Sequence, residues 1–289
     1  MIDVSSFPTA SSDRPIFVLA SSHRSGSTLL QRLLNSCPVI LIWGEQHGYL
    51  NTFMKGFHNL LDWQSKVPGH LKIFLKEGYD NFVPNMVPEE RELRAAAAIH
   101  IEALFGIPAT KRGRPIWGFK EVRYGVQLAL FLQECFPKAR FIHLNRNIID
   151  CFISLKHWED SSDPWNRQWT KHAIENWERI NSSFLKSGDK ISNLLNVRYE
   201  DMVADSKGFI QKLAQFLEMP PDTFDQTVFN KRIHAAGSAG TVERRKIHRS
   251  DLNAEERALM STRNIVEIAE AYGYKIEFID ESIHHSTCL

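Results

Sequence analysis

The segment that most limits the possible folds of this chain runs from Ile16 to Leu34 and reads IFVLASSHRSGSTLLQRLL. It begins with the apolar run Ile16 to Ala20, which is typical of a strand buried on both faces in a parallel sheet. The next residues, Ser21 to Thr28, include no large apolar side chain, and leucines then recur at helical spacing. The segment therefore predicts a buried strand, a tight loop and a helix, in that order.

The loop has the chemistry of an anion-binding site, because the first N–H groups of a helix lack intrahelical partners and lie at the positive end of its dipole. The candidate ligand-binding residues are Arg24, Ser25, Gly26, Ser27 and Thr28. The glycine allows close approach of the backbone, the hydroxyls can donate hydrogen bonds, and the guanidinium adds a fixed charge. In nucleoside triphosphatases the corresponding loop reads GxxxxGK[ST], but here Ser21 replaces the first glycine and Ser27 replaces the lysine. We therefore predict a phosphate-binding loop that is not built for ATP with magnesium.

Four further apolar runs are predicted to be strands, at residues 39–43, 115–120, 140–145 and 194–200. Helical patterns separate them, which indicates an α/β fold around a central parallel sheet of about five strands. A chain of 289 residues can bury one large core, so we expect a single domain over residues 1–289. Residues 1–14 and 281–289 are expected to be loose tails.

Composition and charge restrict the possible functions. The net charge of +1 leaves no excess of basic residues to neutralise a nucleic-acid backbone. The four cysteines are widely separated and include no CxxC pair, so neither a zinc site nor a disulfide framework is indicated. The sequence contains no signal-peptide pattern and no apolar run long enough to span a membrane. We therefore expect a cytoplasmic protein that binds small anions.

At Arg24 to Thr28, RSGST, the sequence resembles the 5′-phosphosulfate loop of sulfotransferases that use 3′-phosphoadenosine 5′-phosphosulfate (PAPS). A second motif supports the resemblance, because Arg146 follows the predicted strand 140–145 and Ser154 comes eight residues later. This spacing is similar to the 3′-phosphate motif of the same family, in which a planar guanidinium makes paired bonds to phosphate oxygens. The loop alone is moderate evidence and the spacing of Arg146 and Ser154 alone is weak evidence, whereas two motifs that each follow an apolar strand indicate the family strongly.

The resemblance implies a P-loop-like three-layer sandwich, and it implies further contacts to PAPS. Tyr199 begins a Tyr-Glu-Asp string whose tyrosine approaches the adenine in relatives, and it otherwise packs at the sheet edge. Relatives fold a basic loop over the 3′-phosphate, which here would use Arg244, Arg245 or Lys246, although a solvated run of charges fits these residues equally well. The motifs are nearest in style to those of carbohydrate and tyrosyl-protein sulfotransferases. The absence of an anchor suggests a bacterial relative.

The catalytic candidates follow two other predicted strands. Glu45 comes just after the run 39–43, and its carboxylate could accept the proton of an attacking hydroxyl, as the resemblance implies. His47 is the rival base, and a surface carboxylate that caps the next helix is the alternative for Glu45. Lys120 is a candidate to hold the transferring sulfonate, with Arg123 as support and Arg24 as a second cation. A lysine that faces solvent is the alternative for Lys120.

The predicted reaction is in-line transfer of the sulfuryl group from PAPS to a hydroxyl, or less readily an amine, of a small-molecule, sugar or lipid-linked acceptor. No metal is expected, because protein cations would balance the charge of the leaving phosphate. The alternatives are a P-loop small-molecule kinase and a non-catalytic adenosine-phosphate binding protein. Neither the acceptor nor the oligomeric state follows from the sequence.

Overall fold

The computed structural model describes residues 12–67, 69–156, 165–231, 249 and 252–278, with the backbone alone for residues 165–170. Of the predicted tails, residues 1–11 and 281–289 lie outside these ranges. Residues 12–14 are held in place: the Ser12 amide donates to the Pro115 carbonyl at 2.9 Å, and Arg14 pairs with Glu218 at 2.6 Å.

Five strands form one parallel sheet in the order β2-β3-β1-β4-β5, which confirms the predicted fold class. The strands are β1 (Ile16–Ala20), β2 (Ile40–Trp43), β3 (Ile116–Glu121), β4 (Arg140–Asn145) and β5 (Leu194–Arg198). Because every strand runs in the same direction, the segments that follow the five strands all lie at one edge of the sheet.

Twelve helices are assigned within the described ranges. They are α1 (Ser27–Ser36), α2 (Tyr49–Lys66), α3 (His70–Glu77), α4 (Glu90–Ile101), α5 (Ile107–Thr110), α6 (Val126–Cys135), α7 (Ile148–Lys156), α8 (Trp165–Ser187), α9 (Tyr199–Ala204), α10 (Ser206–Leu217), α11 (Ala254–Met260) and α12 (Arg263–Ala271).

The side chains of β1 show why helices cover both faces of the sheet. Phe17 and Leu19 point into a core shared with α2, α4, α6 and α8. Ile16, Val18 and Ala20 alternate with them and point into a second core shared with α1, α9 and α10. All five residues are buried, so the unbroken apolar run predicted from the sequence is the central strand of a three-layer fold.

One predicted strand is longer than the observed one. The run 194–200 was expected to be extended throughout, but β5 ends at Arg198 and Tyr199 begins α9. Glu200 and Asp201 lie in the first turn of α9, where acidic side chains interact favourably with the helix dipole. This turn places Tyr199 at the sheet edge that carries the other candidate site residues.

A fully buried histidine lies in the middle of β4. His143 stacks on Phe184 with ring centroids 3.9 Å apart. Its Nδ1 lies 3.0 Å from the Leu19 carbonyl, which can only accept, so Nδ1 carries the proton. Nε2 lies 3.1 Å from the side-chain amide of Asn181 and 3.3 Å from the Tyr272 hydroxyl. Burial lowers the pKa of His143 from 6.5 to about 4, and the bonds to Leu19 and Asn181 oppose this shift only in part.

This histidine should make the fold sensitive to acid. As the pH falls below 6.5 the unfolded chain takes up a proton at His143, while the folded protein stays neutral until about pH 4. The stabilisation is complete above pH 6.5 and is lost as the pH falls towards 4. When the pH is lowered from 7.5 to 4.5, the free energy of unfolding measured with urea should therefore fall by about 2 kcal/mol more in the wild type than in His143→Gln. Equal losses in the two proteins would contradict this assignment.

Candidate active site

The loop after β1 turns sharply and delivers the start of α1 to the sheet edge. Arg24 and Gly26 both have left-handed backbone conformations, with φ of 62° and 91°. Gly26 precedes the first residue of α1, no side chain caps the helix, and its first turn has no acidic residue. The first N–H groups of α1 therefore retain the positive end of the helix dipole, as an anion site requires.

Gly26 is required for close packing as well as for its conformation. A Cβ atom at this position would lie 2.2 Å from Cδ2 of Tyr199, so any side chain would collide with the tyrosine ring. The same ring is covered by the guanidinium of Arg146, whose Cζ lies 4.3 Å from the ring centroid. Tyr199 thus lies between the glycine turn of the first motif and the arginine of the second.

The two motifs also contact each other directly. Nη1 of Arg146 donates to the carbonyl oxygen of Arg24 at 2.7 Å. Nε of Arg24 donates to Oγ of Ser154, in α7, at 3.2 Å. The predicted 3′-phosphate residues Arg146 and Ser154 are therefore brought together with Arg24.

The residues around Arg24, Arg146 and Ser154 form one half of the site, and their charges favour the binding of an anion. Burial, followed by the nearby positive charge of Arg146, lowers the pKa of Arg24. Within the part of the chain that the structure describes, Arg146 forms no ion pair with a carboxylate, and its buried Nε has no hydrogen-bond partner. The hydroxyls of Ser21 and Ser25 are likewise buried without a partner among those residues. Unsatisfied donors beside two guanidinium groups fit an anionic ligand.

The remaining predicted loop residues differ in exposure. Ser27 is buried at the start of α1, whereas the Thr28 side chain is exposed.

The other half of the site is an ion-pair cluster at the ends of β2 and β3. Oε1 of Glu45 makes a short contact with Nζ of Lys120, and Oε2 accepts from Nη1 of Arg123 at 2.9 Å. The Lys120 side chain is only 8% exposed, while that of Glu45 is 29% exposed. The carboxylate of Glu45 can therefore be reached from solvent, and the ammonium group of Lys120 is shielded below it.

Two opposing effects set the pKa of Glu45. Burial raises it, but the hydrogen bonds and positive charges of Lys120 and Arg123 outweigh burial and hold the pKa below its usual value. Glu45 is therefore ionised at neutral pH, as a proton acceptor must be.

The strand order places the two halves side by side. Glu45 follows β2, Lys120 lies in β3, the loop with Arg24 follows β1, and Arg146 follows β4. Neighbouring strands are about 4.8 Å apart, so three spacings separate the two ends of this row by about 14 Å. An extended nucleotide of that length can contact both ends.

His47, the rival base, is placed differently. Its side chain is exposed, its backbone is left-handed with φ of 54°, and no hydrogen bond or ion pair joins it to Glu45 or Lys120 in the described structure.

The sequence did not single out two residues that face the cluster. His23 lies in the loop after β1, where burial lowers its pKa and the neighbouring Glu45 opposes this effect. Glu121 is fully buried and bonds Arg123 at 2.6 Å. A charged Lys-Glu-x-Arg string at the end of an apolar strand was the available signal for Glu121.

Several other expectations concern binding groups elsewhere. Arg244, Arg245 and Lys246 lie outside the described residues. Among the residues within them, no cluster of histidine, cysteine and acidic side chains could hold a metal ion. In the same ranges, no helix combines the length and the apolar character needed to cross a bilayer.

A parallel sheet whose first strand leads through a glycine turn into a helix, with cations along its carboxyl edge, defines a P-loop-like protein for an anionic ligand. The family model described as "Sulfotransferase family" matches residues 15–224. The chain belongs to the sulfotransferase family, and it is an enzyme of that class. The resemblance found in the sequence is thereby confirmed. No curated protein matches this sequence.

Some of the solved structures to which this chain is similar are sulfotransferases. One from Mycobacterium avium is 14% identical, with 91% of this chain and 77% of that chain covered and a TM-score of 0.50. The sulfotransferase domain of the Synechococcus PCC 7002 olefin synthase is 16% identical, with coverage of 93% and 98% and a TM-score of 0.49. One from Alicyclobacillus acidocaldarius is 15% identical, with coverage of 90% and 95% and a TM-score of 0.47.

Proposed function

We propose that this sulfotransferase moves the sulfuryl group of PAPS to a hydroxyl, or less readily an amine, of a small-molecule, sugar or lipid-linked acceptor. One observation carries the proposal: the Glu45–Lys120 ion pair shares a sheet edge with the cluster of Arg24, Arg146 and Ser154. The first pair offers a base beside a cation, and the second cluster offers an anion site. Their separation of about 14 Å along the strands suits a donor with phosphate at one end and sulfonate at the other.

In this proposal, the residues of the anion half hold the donor. Arg146 and Ser154 bind the 3′-phosphate, and Arg24 binds the 5′-phosphosulfate together with the amides of the Gly26 turn and the start of α1. Tyr199, already sandwiched between Gly26 and Arg146, flanks the adenine. Arg244 or Arg245 covers the 3′-phosphate.

The residues of the ion-pair half act on the acceptor. PAPS, when bound, supplies a sulfuryl group attached to a phosphate leaving group. Glu45 accepts the proton of the acceptor hydroxyl while the acceptor oxygen forms its bond to sulfur and the bond from sulfur to the phosphate oxygen breaks. Lys120 and the loop amides stabilise the negative charge that develops on that phosphate oxygen.

Lys120 links these two tasks. In the structure it pairs with Glu45 and helps to lower its pKa. If the ammonium group turns towards the departing phosphate oxygen, Glu45 loses one of its two cationic partners and its pKa rises. The carboxylate therefore becomes a better proton acceptor as charge develops on the leaving group.

Labelled PAPS offered with a panel of phenols, sugars, lipid-linked hydroxyls and amines tests the proposal. We expect label to reach at least one class of hydroxyl acceptor. Adenosine 3′,5′-bisphosphate should raise the melting temperature, and magnesium should add nothing to the effect of ATP. If magnesium raises the melting temperature further in the presence of ATP, the result would instead favour a kinase. Nucleotide binding without transfer to any acceptor would indicate a non-catalytic binding protein.

A further inference from the structure

Glu121, the last residue of β3, is a charge in an unusual place. Of the charged side chains that the structure describes, Lys120 and Glu121 alone are buried, and Glu121 has no exposed surface at all. Burying a carboxylate is costly unless its oxygens are well bonded. The contacts that compensate for its burial therefore show what this residue holds in place.

Both oxygens of Glu121 are occupied. Oε1 accepts from the amide of Val122 at 2.9 Å and from Nη1 of Arg123 at 2.6 Å. Oε2 accepts from the amide of Gln46 at 3.0 Å and, more weakly, from that of Gly48 at 3.5 Å. Glu121 thus ties the end of β3 to the turn after β2.

That turn carries Glu45. His47 and Gly48 both have left-handed backbones, with φ of 54° and 80°, and the turn so formed presents two amides to one carboxylate oxygen. A left-handed histidine is disfavoured because its Cβ lies too close to the following carbonyl oxygen, so the turn depends on partners that offset this cost. Glu121 supplies such a partner.

The second connection runs through Arg123. Its Nη1 bonds both Oε1 of Glu121 and Oε2 of Glu45, so one guanidinium bridges the two carboxylates. Glu121 therefore controls the backbone beside Glu45 and also the cation bound to it.

We infer that Glu121 is a positioning residue for the proposed sulfuryl transfer: it holds the Gln46–Gly48 turn and the Arg123 guanidinium so that the Glu45 carboxylate faces the acceptor. The inference rests on the proposed function, in which Glu45 takes the proton. The titratable and charged groups that act on Glu45 are Lys120 and Arg123 from β3 and the segment after it and His23 after β1, and Glu121 shares the Arg123 guanidinium with it.

Glu121→Gln keeps the size of the side chain and removes its charge. We expect kcat to fall by on the order of 10², because the base is misplaced, with the affinity for adenosine 3′,5′-bisphosphate unchanged. The acid limb of the kcat/KM profile should move to lower pH, because Glu45 loses a like charge and gains a larger share of Arg123. Amide exchange at Gln46 and Gly48 should accelerate about tenfold, the effect of losing one hydrogen bond of about 1.4 kcal/mol.

Arg123→Gln is the companion variant, and it tests the inference even if Glu121→Gln does not fold. It removes a cation from Glu45, so the acid limb should move to higher pH, opposite to the shift in Glu121→Gln. Tyr124→Phe is the control for loss of a contact without loss of charge, because the neutral Tyr124 hydroxyl accepts from the Leu50 amide at 3.0 Å and donates to Oε1 of Gln46 at 3.3 Å. It should leave the acid limb unchanged.

Normal kcat in Glu121→Gln would overturn the inference, as would equal losses of kcat, nucleotide affinity and melting temperature with an unshifted acid limb. Failure of the proposed function looks different. If Glu45→Gln retains full turnover, the assignment of the base is wrong and the inference is lost with it. If the wild type transfers no label, amide exchange still tests the structural part of the inference. Unchanged exchange at Gln46 and Gly48 in Glu121→Gln would show that Glu121 does not hold the Gln46–Gly48 turn.

Discussion

Arg146→Ala is expected to weaken the binding of adenosine 3′,5′-bisphosphate by on the order of 100-fold, since bonds from a guanidinium to phosphate are worth about 3 kcal/mol. The expectation follows from its buried Nε, which has no partner in the described part of the chain, and from its stacking on Tyr199. The variant also loses the bond from Nη1 to the Arg24 carbonyl, so the loop after β1 should be held less firmly. Isothermal titration calorimetry measures the change.

Arg140→Ala provides the matched control. Arg140 is the first residue of β4, at the opposite end of the strand from Arg146. There it donates to the Leu217 carbonyl at 2.7 Å and pairs with Glu218 at 2.9 Å. Its loss should leave nucleotide affinity unchanged, and the loss of its contacts to Leu217 and Glu218 should lower the melting temperature. Equal affinity of Arg146→Ala and the wild type would remove the second motif from the proposed donor site.

Glu45→Gln is expected to lower turnover by on the order of 10³, the usual contribution of a positioned base, while nucleotide affinity stays constant. The amide keeps the shape of the side chain but cannot take the proton. It also loses the charge that pairs with Lys120 and Arg123, so the variant should be tested for unchanged melting temperature. Turnover of labelled PAPS with saturating acceptor is the measurement.

The pH dependence distinguishes Glu45 from a histidine. Because Lys120 and Arg123 hold the pKa of Glu45 below its usual value, kcat/KM should stay level from about pH 7 to about pH 5. A histidine base with an ordinary pKa would lose activity near 6.5, and His23, whose pKa is lowered by burial, would lose it at a lower pH, so substitution must separate His23 from Glu45. His47→Gln and His23→Gln are the comparison variants. If either abolishes turnover while Glu45→Gln does not, the base has been assigned to the wrong residue.

The elements of the fold that could be predicted were those with a strong local pattern. The apolar run Ile16 to Ala20 was predicted to be a buried strand and is β1. The end of β5 was misjudged, because Tyr199 and Glu200 suit a strand as well as a helix by their local sequence. The helix begins there because its first turn packs against the Gly26 loop, which is distant in the sequence.

The candidate site divides in the same way. Arg24, Gly26 and Arg146 were recognisable because each follows an apolar run and carries the chemistry of an anion site. Glu121 was missed, because its function depends on the amides of Gln46 and Gly48, more than seventy residues away in the chain. The local Lys-Glu-x-Arg string marks the position as charged, but it does not show whether the carboxylate is buried and bonded or solvated.

The sequence by itself determined which groups are available and how each short segment folds, because hydrophobic periodicity, glycine and helix dipoles act over a few residues. The tertiary structure alone decided which groups meet. The order β2-β3-β1-β4-β5 sets Glu45 beside Lys120 and brings Arg146 to Arg24. That order comes from packing on both faces of the sheet, and the burial of each strand depends on helices that are remote in the chain.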